Sequence, residues 1–358
     1  MITILYPFRN RELFRIKNSL DSLVLQSNLN FKVLFVDYGS NPKVAIEVQN
    51  LLNEYDFVDY LYSYHIDQPW SRSKAINIGL RNVKTDFVFI ADIDLLFHKD
   101  FVALLQELKN PTKSIYFQVG YLSEQDNKEV KPFDNYTIVS KSIPEGQGLS
   151  LFSMDALRAV NGFDEFFHFW GAEDEDIHSR LRNFGLSTVF FDTKIYLLHQ
   201  WHPVFNESND MELTEEPKIS NIFNFNKQKL RFNQKNNLIN VNFKDWGKLL
   251  TKNDYEILTN ETNRITLINK KNIVDHFINI ILPNTHESII SVRFQEDSHQ
   301  HSLKYKFKRM LRMTKIEYCS LKNINDLILL QLISHYRDYP YCFKINTNKK
   351  TIDFSIKK

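Results

Sequence analysis

The sequence predicts a doubly wound α/β domain followed by an extension of different composition. Three observations carry that expectation. Short apolar runs alternate with helical patterns from the start of the chain. Polar and charged residues stand directly after those runs. The charge balance also changes sign along the chain: residues 1–204 hold 20 Lys/Arg against 26 Asp/Glu, a balance of −6, and residues 205–358 hold 25 against 17, a balance of +8. At 358 residues the chain is long enough for two domains, and the expected division is 1–205, a linker over 206–240, and a C-terminal part over 241–358.

Residues 3–6 form a first apolar run and predict a strand. Residues 11–25 follow, with Leu13, Ile16, Leu20, Leu23 and Val24 at helical spacing. Residues 31–36 are continuously apolar, as in a strand buried on both faces. Residues 42–55 read as a helix and 57–62 as a strand. Ser71 is placed to cap a helix running to 83, and 87–91 is the fourth apolar run. In such sheets ligands bind beyond the carboxyl ends of the strands. The residues found there are Pro7-Phe8-Arg9-Asn10-Arg11, then Asp37, then Asp92-Ile93-Asp94. Two arginines and three carboxylates on one sheet edge suit a nucleoside diphosphate and a divalent metal.

Composition excludes several classes. Hydrophobic residues make up 43% and charged residues 25%, enough apolar material for a real core. No run of about 18 apolar residues occurs, and Met1 to Pro7 lacks the basic and apolar regions of a secretory signal. The expected compartment is therefore the cytoplasm. Two cysteines, Cys319 and Cys342, are too few for a thiolate zinc cage or a disulfide framework. Nine glycines form neither a Walker loop nor a G-x-G-x-x-G.

Three constellations carry chemistry. Asp92 and Asp94, two apart at a strand end, point to one side if the chain stays extended, and carboxylates suit Mg²⁺ or Mn²⁺. Aspartate at strand ends is also ordinary turn chemistry. The segment Trp170-Gly171-Ala172-Glu173-Asp174-Glu175-Asp176 opens a helical pattern closed by Gly185. Acidic residues there favour the positive end of a helix dipole, which explains them without any chemistry. That does not explain the rings just upstream, Phe166-Phe167-His168-Phe169-Trp170, which can wall a sugar and raise a neighbouring carboxylate pKa by desolvation. Third, His199 and His202 lie three apart after the apolar run 195–198, a spacing open to metal ligation.

Taken in order, these segments resemble nucleotide-sugar glycosyltransferases of the GT-A fold, in the branch of β-1,4-galactosyltransferases and bacterial chondroitin polymerases. The similar segments are Pro7 to Arg11, Trp70-Ser71-Arg72-Ser73-Lys74-Ala75-Ile76-Asn77-Ile78-Gly79, Phe87 to Asp94, Asn161-Gly162-Phe163-Asp164-Glu165 through Asp174, and the histidine segment. They cover residues 1–204 and none of the remainder. The resemblance implies a Rossmann-like, mostly parallel sheet with helices on both faces, followed by a largely helical or α+β extension. It implies an inverting, UDP-sugar-dependent transferase of hexose or N-acetylhexosamine acting on a glycan or lipid-linked glycan acceptor, in a bacterial surface pathway such as capsule or lipooligosaccharide synthesis. Asp174 takes the base position and Glu173 a sugar contact. Asp94, His199 and His202 take the metal positions for Mn²⁺ or Mg²⁺. Pro7, Phe8, Arg9, Arg11, Asp37, Arg72, Lys74, Asp92 and Gly148 fall along the donor, with Trp170 and Gly171 at the acceptor. Ala172 replaces a glycine next to the donor. The competing readings are a catalytically silent glycan-binding module, which the intact Asp94 and Asp174 argue against, and a metal-dependent nucleotidyl- or phosphotransferase, which leaves Trp170 to Asp174 unexplained.

Beyond residue 205 the chain turns rich in Asn and Lys. Apolar segments at 273–282 and 326–334 predict that it folds. Residues 304–315 carry six positive charges and no negative one, with apolar residues interleaved. They read as a solvated helix face or as a surface for anionic lipid at a membrane's inner face. No motif supports nucleic-acid binding. Acceptor binding, a partner enzyme or a second subunit are the remaining expectations for this part.

Overall fold

The computed structural model describes residues 1–126, 129–203, 211–243, 245–261, 263–286 and 288–358. It divides into two compact units. The first comprises residues 1–63, 71–205 and 224–249, and the second comprises 64–70, 206–223 and 250–358.

The first unit opens with the expected alternation: β1 (Ile2–Phe8), α1 (Leu13–Val24), β2 (Phe31–Asp37), α2 (Pro42–Leu52), β3 (Val58–Tyr62), α3 (Arg72–Leu80) and β4 (Phe87–Ile90). It continues with β5 (Leu95–Phe97), α4 (Phe101–Leu108), β6 (Lys113–Phe117), β7 (Val119–Leu122), β8 (Ile138–Lys141), β9 (Ser150–Ser153), α5 (Met154–Ala159), α6 (Glu173–Asn183), β10 (Ser187–Phe191) and β11 (Leu197–His199). Seven strands form the main sheet in the order β10-β6-β9-β4-β1-β2-β3. β9 runs antiparallel to both of its neighbours, and the other pairings are parallel. Ile2, Ile4, Tyr6 and Phe8 on one face of β1 pack with Ile16, Leu20 and Leu23 of α1, Val48 of α2 and Phe101 of α4. On the other face α3 approaches so closely that any side chain at Gly79 would collide with Leu5. Helices therefore cover both faces, as the continuous apolar strands require.

A second, four-stranded sheet in the order β5-β11-β7-β8 branches from the main one. Its register sets His199 of β11 opposite Leu95 of β5 and beside Tyr121 of β7.

The interval expected as a linker, 206–240, contains a 14-residue helix, α7 (Ile222–Lys235), most of which belongs to the first unit. Its polar composition reads as a loop, but Asn226 and Asn233 are buried hydrogen-bonding groups, as described below. Residues 204–210 lie outside the described residues.

The second unit contains α8 (Lys252–Thr259), β12 (Ile265–Ile268), α9 (Lys271–His276), α10 (Leu282–Asn284), β13 (Ile289–Gln295), α11 (Leu303–Met310), α12 (Leu321–Gln331), β14 (Tyr341–Asn346) and β15 (Thr351–Lys357). The sheet order β12-β13-β15-β14 makes it an α+β extension. The apolar segments expected at 273–282 and 326–334 are both helical. Phe277 meets Phe294 and Phe354 across this core, with ring centroids at 5.3 and 6.2 Å. Among the described residues no helix is long and apolar enough to cross a membrane.

Candidate active site

The loops that follow the strands are tied to one another. Asp37 ends β2 fully buried, accepting hydrogen bonds from the Ser40 amide at 2.7 Å and the Tyr60 hydroxyl at 2.9 Å. Burial pushes its carboxyl above the usual range, against those hydrogen bonds and the positive field of Arg9. Asn10, in the left-handed region at φ 48°, donates its amide to Ser40 Oγ and accepts from the Asn41 amide at 2.8 Å. Pro7 and Phe8 are strand residues: Phe8 packs on Phe35 in the core at 5.0 Å, so its side chain supports the expected donor edge from beneath and does not line it. Arg11 is exposed beyond Asn10, and Lys74 is buried in the first turn of α3.

Arg72, the first residue of α3, gathers the acidic groups. Its guanidinium donates to Asp92 Oδ1 at 3.0 and 3.2 Å and to Asp174 Oδ1 at 2.8 Å, with Glu173 at 3.7 Å. Residues 20 and 102 positions away thus share one cation. The cap of α3 makes the junction rigid: Ser71 Oγ accepts from the Lys74 amide and donates to the Phe167 carbonyl at 2.9 Å. Glu173 is nearly buried, and desolvation with Asp174 beside it pushes its carboxyl up to about 7. Asp174 is also raised by burial, while Arg72 pulls the other way. Its side chain stays 26% exposed, so water moderates the push. Gly148 faces it: a Cβ there would lie 3.1 Å from Asp174 Oδ2, a contact tight enough that the carboxylate would have to shift.

Two residues from Asp92, Asp94 faces the histidines. Its carboxylate oxygens lie 3.5 Å from His199 Nε2 and 3.5 Å from His202 Nε2. One ligand atom from each of the three lies within 4.8 Å of the others. The far side of each imidazole is held, with His199 Nδ1 against the Gln200 carbonyl at 2.9 Å and His202 Nδ1 against the Pro203 carbonyl at 2.8 Å. An Nδ1–H donated to a carbonyl leaves the Nε2 lone pair directed at Asp94, the arrangement metal-binding histidines adopt. Asp94 Oδ1 is buried without a hydrogen bond, which a cation would relieve. One carboxylate and two imidazoles suit Mn²⁺ or another borderline divalent ion, so the residues fit the metal the sequence led us to expect.

The histidine loop is anchored by residues that the sequence did not single out. Arg15 of α1 donates to the Trp201 carbonyl, Gln200 Nε2 donates to the Arg15 carbonyl at 3.0 Å, and the Gln200 amide donates to the Asp94 carbonyl at 2.9 Å.

A second acidic cluster lies behind α6. Asp176 and Arg180 form an ion pair at 2.7 Å with both side chains sealed from solvent. Arg180 also donates to the carbonyls of Val160 and Gly162, and Asn233 of α7 donates to both Asp176 and Asp164, at 2.7 and 3.1 Å. Glu165 accepts from Asn77 and from the Gly247 amide. The Asn-Gly-Phe-Asp-Glu segment is thus part of a structural brace. Gly162, at φ 68°, admits Asn77 Oδ1 where a side chain would stand.

The turn entering α6 is strained. Phe169, Gly171 and Ala172 have φ of 65°, 93° and 80°. Asn226, buried in α7, donates to the carbonyls of His168 and Trp170 and fixes this turn. Trp170 is 52% exposed, just before the helix that carries the acidic cluster.

A mostly parallel sheet that presents acidic and cation-competent side chains beyond its strand ends defines an α/β domain with a ligand-binding edge. More particularly, residues 3–178 match the family described as Glycosyl transferase family 2, and they form a domain of that family. Human chondroitin sulfate synthase 3 is 24% identical over 226 residues, covering 58% of this chain and 25% of that protein. Human β-1,4-galactosyltransferase 5 is 25% identical over 131 residues, covering 37% of this chain and 31% of that protein. The chain therefore spans a quarter to a third of the length of these curated relatives. Among solved structures, the mannosyltransferase PcManGT from Pyrobaculum calidifontis in complex with GDP-Man and Mn²⁺ aligns with a TM-score of 0.42 at 17% identity, over 59% of each chain.

Proposed function

We propose that this domain is an inverting glycosyltransferase that moves a hexose or N-acetylhexosamine from a UDP-sugar to a glycan hydroxyl. The observation that carries the reading is the Arg72 guanidinium, which holds Asp174 and Asp92 at hydrogen-bond distance from one cation, two residues from Asp94. The family of residues 3–178 and the names of the relatives, a chondroitin synthase and a galactosyltransferase, agree with it. A bacterial capsule or lipooligosaccharide is the setting to which the sequence resemblance points.

In this reading the acceptor oxygen forms a bond to the anomeric carbon as the bond from that carbon to the diphosphate oxygen breaks on the opposite side. Asp174 accepts the hydroxyl proton, and the electron pair leaves with UDP. A base raised by burial yet partly exposed is suited to that task near neutral pH. Glu173 contacts the sugar, and Trp170 provides a ring face for the acceptor. Arg72 offers a planar fork to diphosphate oxygens, and Arg9 and Asp37 lie towards the nucleoside. Mn²⁺ held by Asp94, His199 and His202 would supply Lewis-acid stabilisation of charge on the leaving group.

The test is thermal stabilisation by UDP, UDP-sugars, GDP-sugars and ATP with and without Mn²⁺, repeated on Asp94→Ala. Stabilisation by UDP only with Mn²⁺, lost in the variant, is the expected result. Preference for ATP would replace the reading with phosphotransfer. Glycan binding without any nucleotide effect would leave a binding module. Linkage analysis of the product by NMR then identifies donor and acceptor.

A further inference from the structure

The second unit carries an amphipathic helix whose apolar face is exposed among the described residues. Over 303–313 only Tyr305 is buried. Its ring packs against His299 and Tyr318 at 5.5 and 5.1 Å, and its hydroxyl donates to the Ile316 carbonyl at 3.0 Å. At about 100° per residue, Leu303, Phe307, Met310 and Leu311 fall on the face opposite Tyr305, in a stripe about 100° wide. These four and Met313 are between 46% and 84% exposed. The same projection sets Lys304 and Lys306 along the two borders of the stripe, with Lys308 and Arg309 further round. The helix is closed at both ends. Ser302 Oγ accepts from the Tyr305 amide, and the turn at Arg312, φ 55°, lets the Met313 amide donate back to the Lys308 carbonyl at 2.8 Å.

We propose that this face, α11 with Leu311 and Met313, docks the protein on an anionic phospholipid bilayer, the apolar stripe entering the headgroup boundary and the flanking cations meeting lipid phosphates. Helices with large, lysine-bordered apolar faces bind interfaces in this way. Charge decides the occupant. Residues 304–315 hold six cations and no acid, so a second copy seated face to face would oppose twelve positive charges. A negatively charged lipid surface attracts all six. A nucleic acid would leave the stripe without a partner. The inference is independent of the transfer chemistry.

The experiment is co-sedimentation of the full chain with vesicles of phosphatidylcholine alone and of phosphatidylcholine mixed with phosphatidylglycerol, at low and high salt. The protein should partition onto the mixed vesicles only, and salt should weaken it. Lys304→Gln with Lys306→Gln should lower partitioning roughly 25-fold, at about fivefold per cation. Phe307→Ser with Met310→Ser, which keeps every cation, should lower it at least about tenfold. All four positions are exposed, so the variants should melt as the parent does. Failure to bind mixed vesicles, equal binding to neutral ones, or undiminished binding of the serine variant would each overturn the proposal. A concentration-dependent dimer abolished by the serine variant would assign the face to a second copy instead.

Discussion

Helix α6 contributes to two acidic clusters, and they are built on contrasting terms. Behind it, Asp176 is sealed with Arg180 and Asn233, and each partner has further bonds to backbone carbonyls or to Asp164. In front, Asp92, Glu173 and Asp174 surround one guanidinium, Asp174 is partly open to water, and Asp94 Oδ1 has no hydrogen bond. Of the four consecutive acids, Glu173 and Asp174 meet at Arg72 with charge in excess, Asp176 is neutralised by Arg180, and Glu175 is exposed. A cluster whose charges are paired out of reach of water braces the fold, whereas one with acid in excess and partly open to water is ready for a ligand.

Replacing Asp174 by Asn should break this comparison most severely. Loss of a positioned base should lower turnover by about 10²- to 10⁴-fold while UDP binding, followed by thermal shift, persists. Loss of both would move the base role to another carboxylate. Next in size is Arg180→Met, which strands Asp176 in the interior and should cost about 3–5 kcal/mol in chemical denaturation. Arg72→Met should cost clearly less, because water reaches Asp92 and Asp174, yet it should abolish UDP binding. Equal losses of stability from the two arginines would erase the distinction between clusters.

Glu173 gives the intermediate effect. Its carboxyl is raised to about 7 in the fold against an unfolded value near 4.3, so the folded state holds its proton more tightly. The associated stability is fully present below the unfolded value and is lost as pH rises to about 7. Glu173→Gln removes that loss. The variant should gain on the parent by up to about 1.4 kcal/mol per pH unit between pH 4.5 and 7, and the gap should stay constant above. A difference independent of pH would show that Glu173 ionises freely.

Much of the front cluster was legible because strand ends are. Apolar runs located β1, β2 and β4, and the acids and arginines after them had to share an edge. The meeting of Asp94 with His199 depended on β5 pairing with β11, two three-residue strands too short to announce themselves. The rear cluster was hidden for another reason. Its charges pair with one another, and α7, with the amide nitrogens of Asn226 and Asn233 turned inward, reads as a polar linker until the acceptors they serve are known. Phe8 shows the reverse error: a motif position can be there for the core.

The smallest effect lies between the two clusters. Ala172 precedes α6 at φ 80°, a conformation that costs an L-residue with a Cβ about 1–2 kcal/mol. Glycine would lose that strain but forfeit about 0.5–1 kcal/mol of chain entropy. Ala172→Gly should therefore stabilise by about 0.5–1 kcal/mol, a rise of about 1–4 °C in Tm. Strain retained at such a position points to use. Ala172 stands between Gly171 and Glu173, so in the transferase reading its methyl group bounds the donor sugar. The same substitution should then widen acceptance of donors with bulky 2-substituents, measured as the ratio of kcat/KM for UDP-GlcNAc and UDP-glucose. A stabilised variant with an unchanged ratio would separate the strain from specificity and confine Ala172 to the helix cap.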